Sequence, residues 1–439
     1  MRSKWRRLTA AAAACITGVS LAACSSTEGA SGAGGGSGSS GKVVVWAVQD
    51  DTLNPVVKAE MSKFNNANHA SASLQTFVND PYKQKLQTAL GSPQAPDVFF
   101  NWGGGNLAQY VHAGDVVDLT SLLNGDPTWK AKFLPSVLNT AKIDGKYYGV
   151  PMEGVQPVFL FVNKAVMTKA NITAMPATWD DLLTDVDKMK AAGISNPIAL
   201  AGTQSWTELM WLEYLLDRVG GPQKFADIVA GKPGAWSDPA VVQALTMIQD
   251  LVKRGAFGSN FSAINYDNHG TEALFTTGKS GMQLMGSWEL SGLVGTFPKF
   301  MKTGNLEWAP FPAVSNGAGD PKDIVGNPSN FYSITKSSKN VKTAEAFLKT
   351  VSSDDYVAQL IKIGQVPAIA GVESQLNTGN YPDYTQFVYG LVKNAPSFAQ
   401  SWDQALSPSV AQTMLTDLQK VFLNKMSPQD FGKAMDAAK

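Results

Sequence analysis

Alternation and helical spacing of apolar residues divide the chain from Lys42 onward into short strands and amphipathic helices. Lys42–Val48 (KVVVWAV) reads as a strand, with Leu74–Val78 and Pro96–Phe100 as two more. Between them, Pro55–Asn66 carries Val57, Met61 and Phe64 at helical spacing. Asp80-Pro81 opens a helix with Tyr82, Leu86 and Ala89 on one face, proline standing in the first turn where its missing N–H costs nothing. Strand, helix, strand, helix, strand with short loops predicts a parallel, helix-covered sheet, so the fold class is α/β.

The stretch Lys142–Met167 organises the rest. Asp144-Gly145 between two β-prone pairs predicts a type I′ hairpin, because both central positions of that turn need positive φ. Pro151 ends the hairpin, and Val158–Val162 is continuously apolar, as a strand covered on both faces is. Met152, Glu153, Gly154, Val155 and Gln156 lie between them, a crossing from one α/β lobe to another. Asp323–Thr335 (DIVGNPSNFYSIT) repeats that pattern and predicts a second crossing.

Further helices are expected over Thr178–Gly193, with Leu182, Val186 and Met189 inward and Thr178 and Asp181 spaced as a capping box. Gln204–Gly220 follows, then a helix from Asp238-Pro239 with Val241, Leu245, Ile248 and Val252 inward and Gly255 as its stop. Lys279–Met285 alternates as a strand. Lys339–Ser352 predicts a helix, Gly364-Gln365-Val366-Pro367 a tight turn, and Pro408–Asn424 the closing helix.

At 439 residues the chain exceeds one ordinary core, and two lobes are expected. Four of its basic residues, Arg2, Lys4, Arg6 and Arg7, precede Leu8, and no acid precedes Cys24; setting them aside takes the formal net charge from +0 to −4. That is no basic face for nucleic acid. The basic start and the apolar run Leu8–Ala23 predict a signal peptide over 1–23, too short for a membrane span. Leu21-Ala22-Ala23-Cys24 marks Cys24 for lipidation, and 24–41 forms the anchor and a Gly/Ser tether. Only Cys15 and Cys24 exist, so a processed chain has no disulfide.

The tether, GKYYGVPMEGVQPVFLFVNK, EALFTTGKSGMQLMGSWEL, VGNPSNFYSIT and GQVPA together resemble the extracellular solute-binding lipoproteins of bacterial ATP-binding-cassette importers, in the carbohydrate-binding family that includes maltose-binding protein. The resemblance implies a periplasmic-binding-protein-like fold. One α/β lobe would take 42–150 plus 328–378 and the other 151–327 plus 379–439, joined by hinge crossings with a ligand cleft between them. It also implies a monomeric receptor, without cofactor or metal, held to the outer face of the cell membrane and working with permease subunits. Within the family, the Ser-Trp-Asp-Gln-Ala-Leu run from Ser401 is most like xylo-oligosaccharide receptors, which makes xylobiose the first expectation and chito- or cello-oligosaccharide the second.

A neutral sugar asks for flat aromatic platforms and for carboxylates and amides that pair with hydroxyls. The family places cleft residues at Trp102, Trp288 and Trp402, and Trp206 is a further platform candidate. Asp50, Asp51, Asn79, Glu153, Asn327, Asn330, Phe331 and Asp403 are the polar and crossing candidates, Glu289 a weaker one. For each the plain structural role competes: core filling for the tryptophans, helix capping or loop solvation for the acids and amides. Tryptophans and acids in a cleft also describe a glycoside hydrolase. A tether and two crossings suit capture and delivery instead, and no catalytic residue is assigned. His69, His112 and His269 are too scattered for a metal site, which argues against a metal receptor, and a polyamine receptor would need more acids in its cleft.

Overall fold

A computed structural model describes residues 41–438; Cys24, the leader and nearly all of the tether lie outside the described residues. Strands follow along the chain as β1 (Lys42–Val48), β2 (Ser71–Phe77), β3 (Val98–Asn101), the pair β4 (Lys142–Ile143) and β5 (Lys146–Tyr147), and β6 (Val150–Pro151). Then come β7 (Gln156–Asn163), β8 (Ile198–Ala199), β9 (Met282–Gly286), β10 (Leu306–Ala309), β11 (Ile324–Asn327), β12 (Phe331–Ile334) and β13 (Phe398–Gln400). They form two main sheets, each covered by helices, in an α/β arrangement of two lobes.

The first sheet runs β2-β1-β3-β12-β6. Its β1, β2 and β3 are parallel, as strands separated by crossover helices must be, while β12 and β6 join antiparallel. The second runs β13-β11-β7-β9-β8, with β10 also beside β7. All eight residues of β7 are buried, which is why that stretch is apolar without alternation.

Two short passages join the sheets, and the chain crosses a third time between β12 and β13. Residues 152–155 lead from β6 into β7, and 328–330 lead from β11 into β12. At the second, Gly326 has φ 137°, and a Cβ there would stand 2.3 Å from the Gln156 carbonyl oxygen, so only glycine lets the passages lie this close. The Gly364-Gln365-Val366-Pro367 turn braces the first: Gly154 N–H donates to Gln365 Oε1 at 3.0 Å and Val155 N–H to the Val366 carbonyl at 2.8 Å.

Most predicted elements are present with shifted ends. Asp144 (φ 48°) and Gly145 (φ 81°) make the expected hairpin turn between β4 and β5, and Thr178 and Asp181 make a reciprocal capping box. Other expectations need correction. The helix from Pro239 turns Leu251 inward and leaves Val252 half-buried. The strand expected from Lys279 begins only at Met282, because Lys279 and Ser280 close the turn after helix Gly270–Thr276 by donating to the Leu274 carbonyl. Pro408–Phe422 is not the closing helix; Pro428–Ala437 follows, capped by Ser427.

Candidate functional site

Between the sheets lies a cavity of about 220 Å³. Its walls come from three places: the carboxyl ends of first-lobe strands, the two passages, and the second lobe. Of the twelve ligand-contact candidates, ten line it; Phe331 and Trp402 do not.

The first-lobe wall holds Asp50, Asp51, Asn79 and Trp102. Asp50 follows β1, and its Oδ1 accepts from the N–H groups of Thr52 (2.8 Å) and Leu53 (2.7 Å) and from Ser291 Oγ across the cleft (2.6 Å). Capping the start of helix Leu53–Asn68 thus uses one oxygen and holds the carboxylate still. Asp51 takes a bond from Thr296 Oγ1 at 3.2 Å, a second link between lobes. Asn79 begins helix Asn79–Ala89 and donates to Asp80. Trp102 packs edge-on against Phe100 and Tyr82 and is 5% exposed.

The floor is made by the passages. Asn330 Nδ2 bonds Glu153 Oε1 and, at 2.9 Å, Gln156 Oε1; Asn327 Nδ2 lies 3.5 Å from that same oxygen. Burial pushes the Glu153 carboxyl up to about 8, against the bond from Asn330, and Asp50 adds repulsion. Near neutral pH this group is protonated, a hydroxyl-like donor and acceptor in the floor. Asn330 Oδ1, itself buried, has no protein partner.

The second-lobe wall is an aromatic corner. Trp206 meets Tyr266 edge-on with centroids 5.0 Å apart and lies 6.3 Å from Trp288, whose Nε1–H donates to Tyr266 Oη at 3.1 Å. Tyr266 in turn donates to buried Glu289 at 3.1 Å. That chain of bonds fixes the rings before anything binds. Glu289 therefore supports the corner from behind and does not line the cavity. Nearby, His269 pairs with Glu272 at 3.0 Å; that bond leads the effects raising its pKa against burial, and Asp51 also raises it.

Phe331 and Trp402 are corrected to core positions. Phe331 is fully buried against Gly103 and Gly149 in the first lobe. Trp402, 1% exposed, stacks on Phe225 at 4.5 Å and 5° and meets Trp236 edge-on. Its neighbour Asp403 does face the cavity, paired with Lys83 at 3.0 Å. Among residues the sequence did not single out, Gln156 sat inside the recognised crossing, whereas Lys83 on a helix surface and Tyr266 in a polar loop carried no local signal.

Behind Trp402, Glu213 Oε1 accepts from Trp402 N–H (2.7 Å) and Ser401 Oγ (2.8 Å), and burial raises its carboxyl to about 8. Glu153 and Glu208 are also raised to about 8 and Asp217 to about 6, all chiefly by burial. Above the ordinary glutamate range near 4.5 the native state then holds more protons than the unfolded one, so stability falls as pH rises from about 4.5 to about 8. Raised His269 acts in the same direction. Glu213→Gln is expected to raise Tm at pH 8 by roughly 2–5 °C and to leave it nearly unchanged at pH 5. Differential scanning calorimetry at both values checks this; equal shifts at both would remove the protonation argument.

Among the described residues no group of three or more His, Cys, Asp or Glu is placed to hold a metal ion, and no helix is long and apolar enough to cross a membrane. Comparison with known proteins gives three kinds of likeness. The sequence model for bacterial extracellular solute-binding proteins matches residues 46–358. The diacetylchitobiose binding protein of Streptomyces coelicolor is 26% identical over 444 residues, 98% of this chain and 97% of that protein. An uncharacterized ABC transporter extracellular-binding protein of Pyrococcus horikoshii is 25% identical over 292 residues, 63% of this chain and 65% of that protein, under two thirds of its length. A solved structure from work on xylan utilization by the thermophilic bacterium Caldanaerobius polysaccharolyticus superposes with a TM-score of 0.81 at 26% identity, covering 90% of this chain and 99% of that one.

Proposed function

Because the chain belongs to the family of bacterial extracellular solute-binding proteins, we propose that its cavity captures a short neutral oligosaccharide and delivers it to the permease of an ATP-binding-cassette importer. The observation that carries this is the pairing of a fixed aromatic corner (Trp206, Tyr266, Trp288) with a floor of amides and a buried carboxyl (Glu153, Gln156, Asn327, Asn330). Sugar ring faces stack on the first, and sugar hydroxyls bond the second.

Xylobiose or a related xylo-oligosaccharide is the preferred ligand. The likeness to the structure from xylan-utilization work supports this choice, and the likeness to the diacetylchitobiose binding protein supports a chito-oligosaccharide as the second reading. A cleft hydrolase is disfavoured. The best-placed carboxyls, Asp50 and Glu153, are engaged in capping the helix start and in the floor network.

Binding closes the lobes, divided at 42–150 plus 328–378 and 151–327 plus 379–439, because both supply contacts only when shut. The monomer is tethered through lipidated Cys24, which mass spectrometry of the N-terminal peptide would show as an acyl adduct. Calorimetric titration with xylobiose, chitobiose, cellobiose, maltose and single sugars tests the reading. Tightest binding of a disaccharide, xylobiose first, is expected; binding of none of them would overturn it.

A further inference from the structure

Lys83 and Asp403 reach each other from opposite sides of the cleft. Lys83 stands on helix Asn79–Ala89, which follows the first-sheet strand β2, and Asp403 on Trp402–Ala405, which follows β13 of the second sheet. Their Nζ and Oδ2 are 3.0 Å apart, with the Asp403 side chain only 4% exposed. Both residues line the cavity, as does Trp102. The same ammonium sits 4.9 Å from the centroid of the Trp102 ring, a cation–π distance. Next to the bridge, Gln400 Nε2 donates to the Trp102 carbonyl at 2.8 Å, so a second bond crosses here. Trp102 is the one tryptophan contributed by the first-lobe wall, and a charged side chain covers it.

Resting on the oligosaccharide reading above, we propose that the Lys83–Asp403 bridge is a length stop. It closes the cleft at Trp102, restricts the ligand to about two rings, and masks a third stacking platform. Three features support this over a plain surface ion pair. The carboxylate is almost wholly withdrawn from water. The two residues come from elements that follow strands of different sheets. The ring beneath is the kind of surface a further sugar would use. Buried Gln404 Oε1, one residue on and also lining the cavity, has no protein partner and is an acceptor available to that sugar's hydroxyls.

The test is calorimetric titration of the full chain with xylobiose, xylotriose and xylotetraose, and with the corresponding chito-oligosaccharides. Wild type should bind the disaccharide of its preferred series more tightly than the longer members. In Lys83→Ala and in Asp403→Asn the trisaccharide should gain relative to the disaccharide by about tenfold, the worth of one stacked ring. The charge exchange Lys83→Asp with Asp403→Lys should restore the wild-type order. Two variants with different side chains guard against one failing to fold, and circular dichroism shows which is native. An unchanged length preference in the folded variants, or a wild type that takes tri- and tetrasaccharides as well as the disaccharide, overturns the length stop while leaving the receptor reading intact. A wild type that binds no saccharide overturns both.

Discussion

Alanine at Trp288 is expected to lower affinity for the proposed oligosaccharide ligand by roughly 30- to 100-fold, the loss of about 2–3 kcal/mol that a central aromatic anchor carries. The magnitude follows from what the ring does. Trp288 is partly exposed in the cavity wall, and its Nε1–H is already spent on Tyr266, so the face is what remains for a ligand. Removing it takes away a platform and also frees Tyr266 and Trp206, which it helps to hold. Thermal stability should change little by comparison, since only part of the side chain is buried. Calorimetry on Trp288→Ala with an unchanged circular dichroism spectrum reads this out. Full affinity in that variant would place the ligand elsewhere.

Trp402→Ala is expected to behave in the opposite way. The ring is 1% exposed, stacked on Phe225 and set edge-on to Trp236. Deleting so large a buried side chain leaves a cavity and costs about 3–5 kcal/mol, seen as a fall in Tm of roughly 5–10 °C. Affinity of the protein that remains folded should stay within about threefold, because the ring does not touch the cavity. A large loss of affinity with little loss of stability would reverse the assignment of the two tryptophans. Measuring both quantities for both variants separates platform from core.

That contrast shows what local sequence could and could not say. Strand β1, the buried run of β7, the Asp144-Gly145 turn and the capping box at Thr178 were all readable, because each depends on residues a few positions apart. The short helices Thr120–Asn124, Pro127–Lys132 and Pro135–Thr140 were not, since five or six residues are too few to show a helical period. Asp50, Glu153, Asn327 and Asn330 were legible as cavity residues because strand ends and lobe crossings collect at a cleft. Trp402 was misread because Phe225, which covers it, comes from a distant helix, and nothing beside Trp402 in sequence records that contact. Lys83 was passed over for the same reason: its partner is 320 residues away, and alone it looks like any solvated lysine.

The proposed two-lobe capture ties these parts together. Asp50 to Ser291, Asp51 to Thr296 and Lys83 to Asp403 are bonds that join the two walls of the cavity. A ligand adds its own contacts to both walls and so favours the closed form by its difference in affinity for the two states.

The most direct test of the central claim is a crystal structure of the protein grown with its tightest-binding disaccharide. The account predicts a sugar ring against Trp288 in the cavity between the lobes, with hydroxyls bonded to the floor at Glu153 and Asn330. A sugar bound away from that cavity, or lying in it with Trp288 untouched and no contact to the floor, would contradict it.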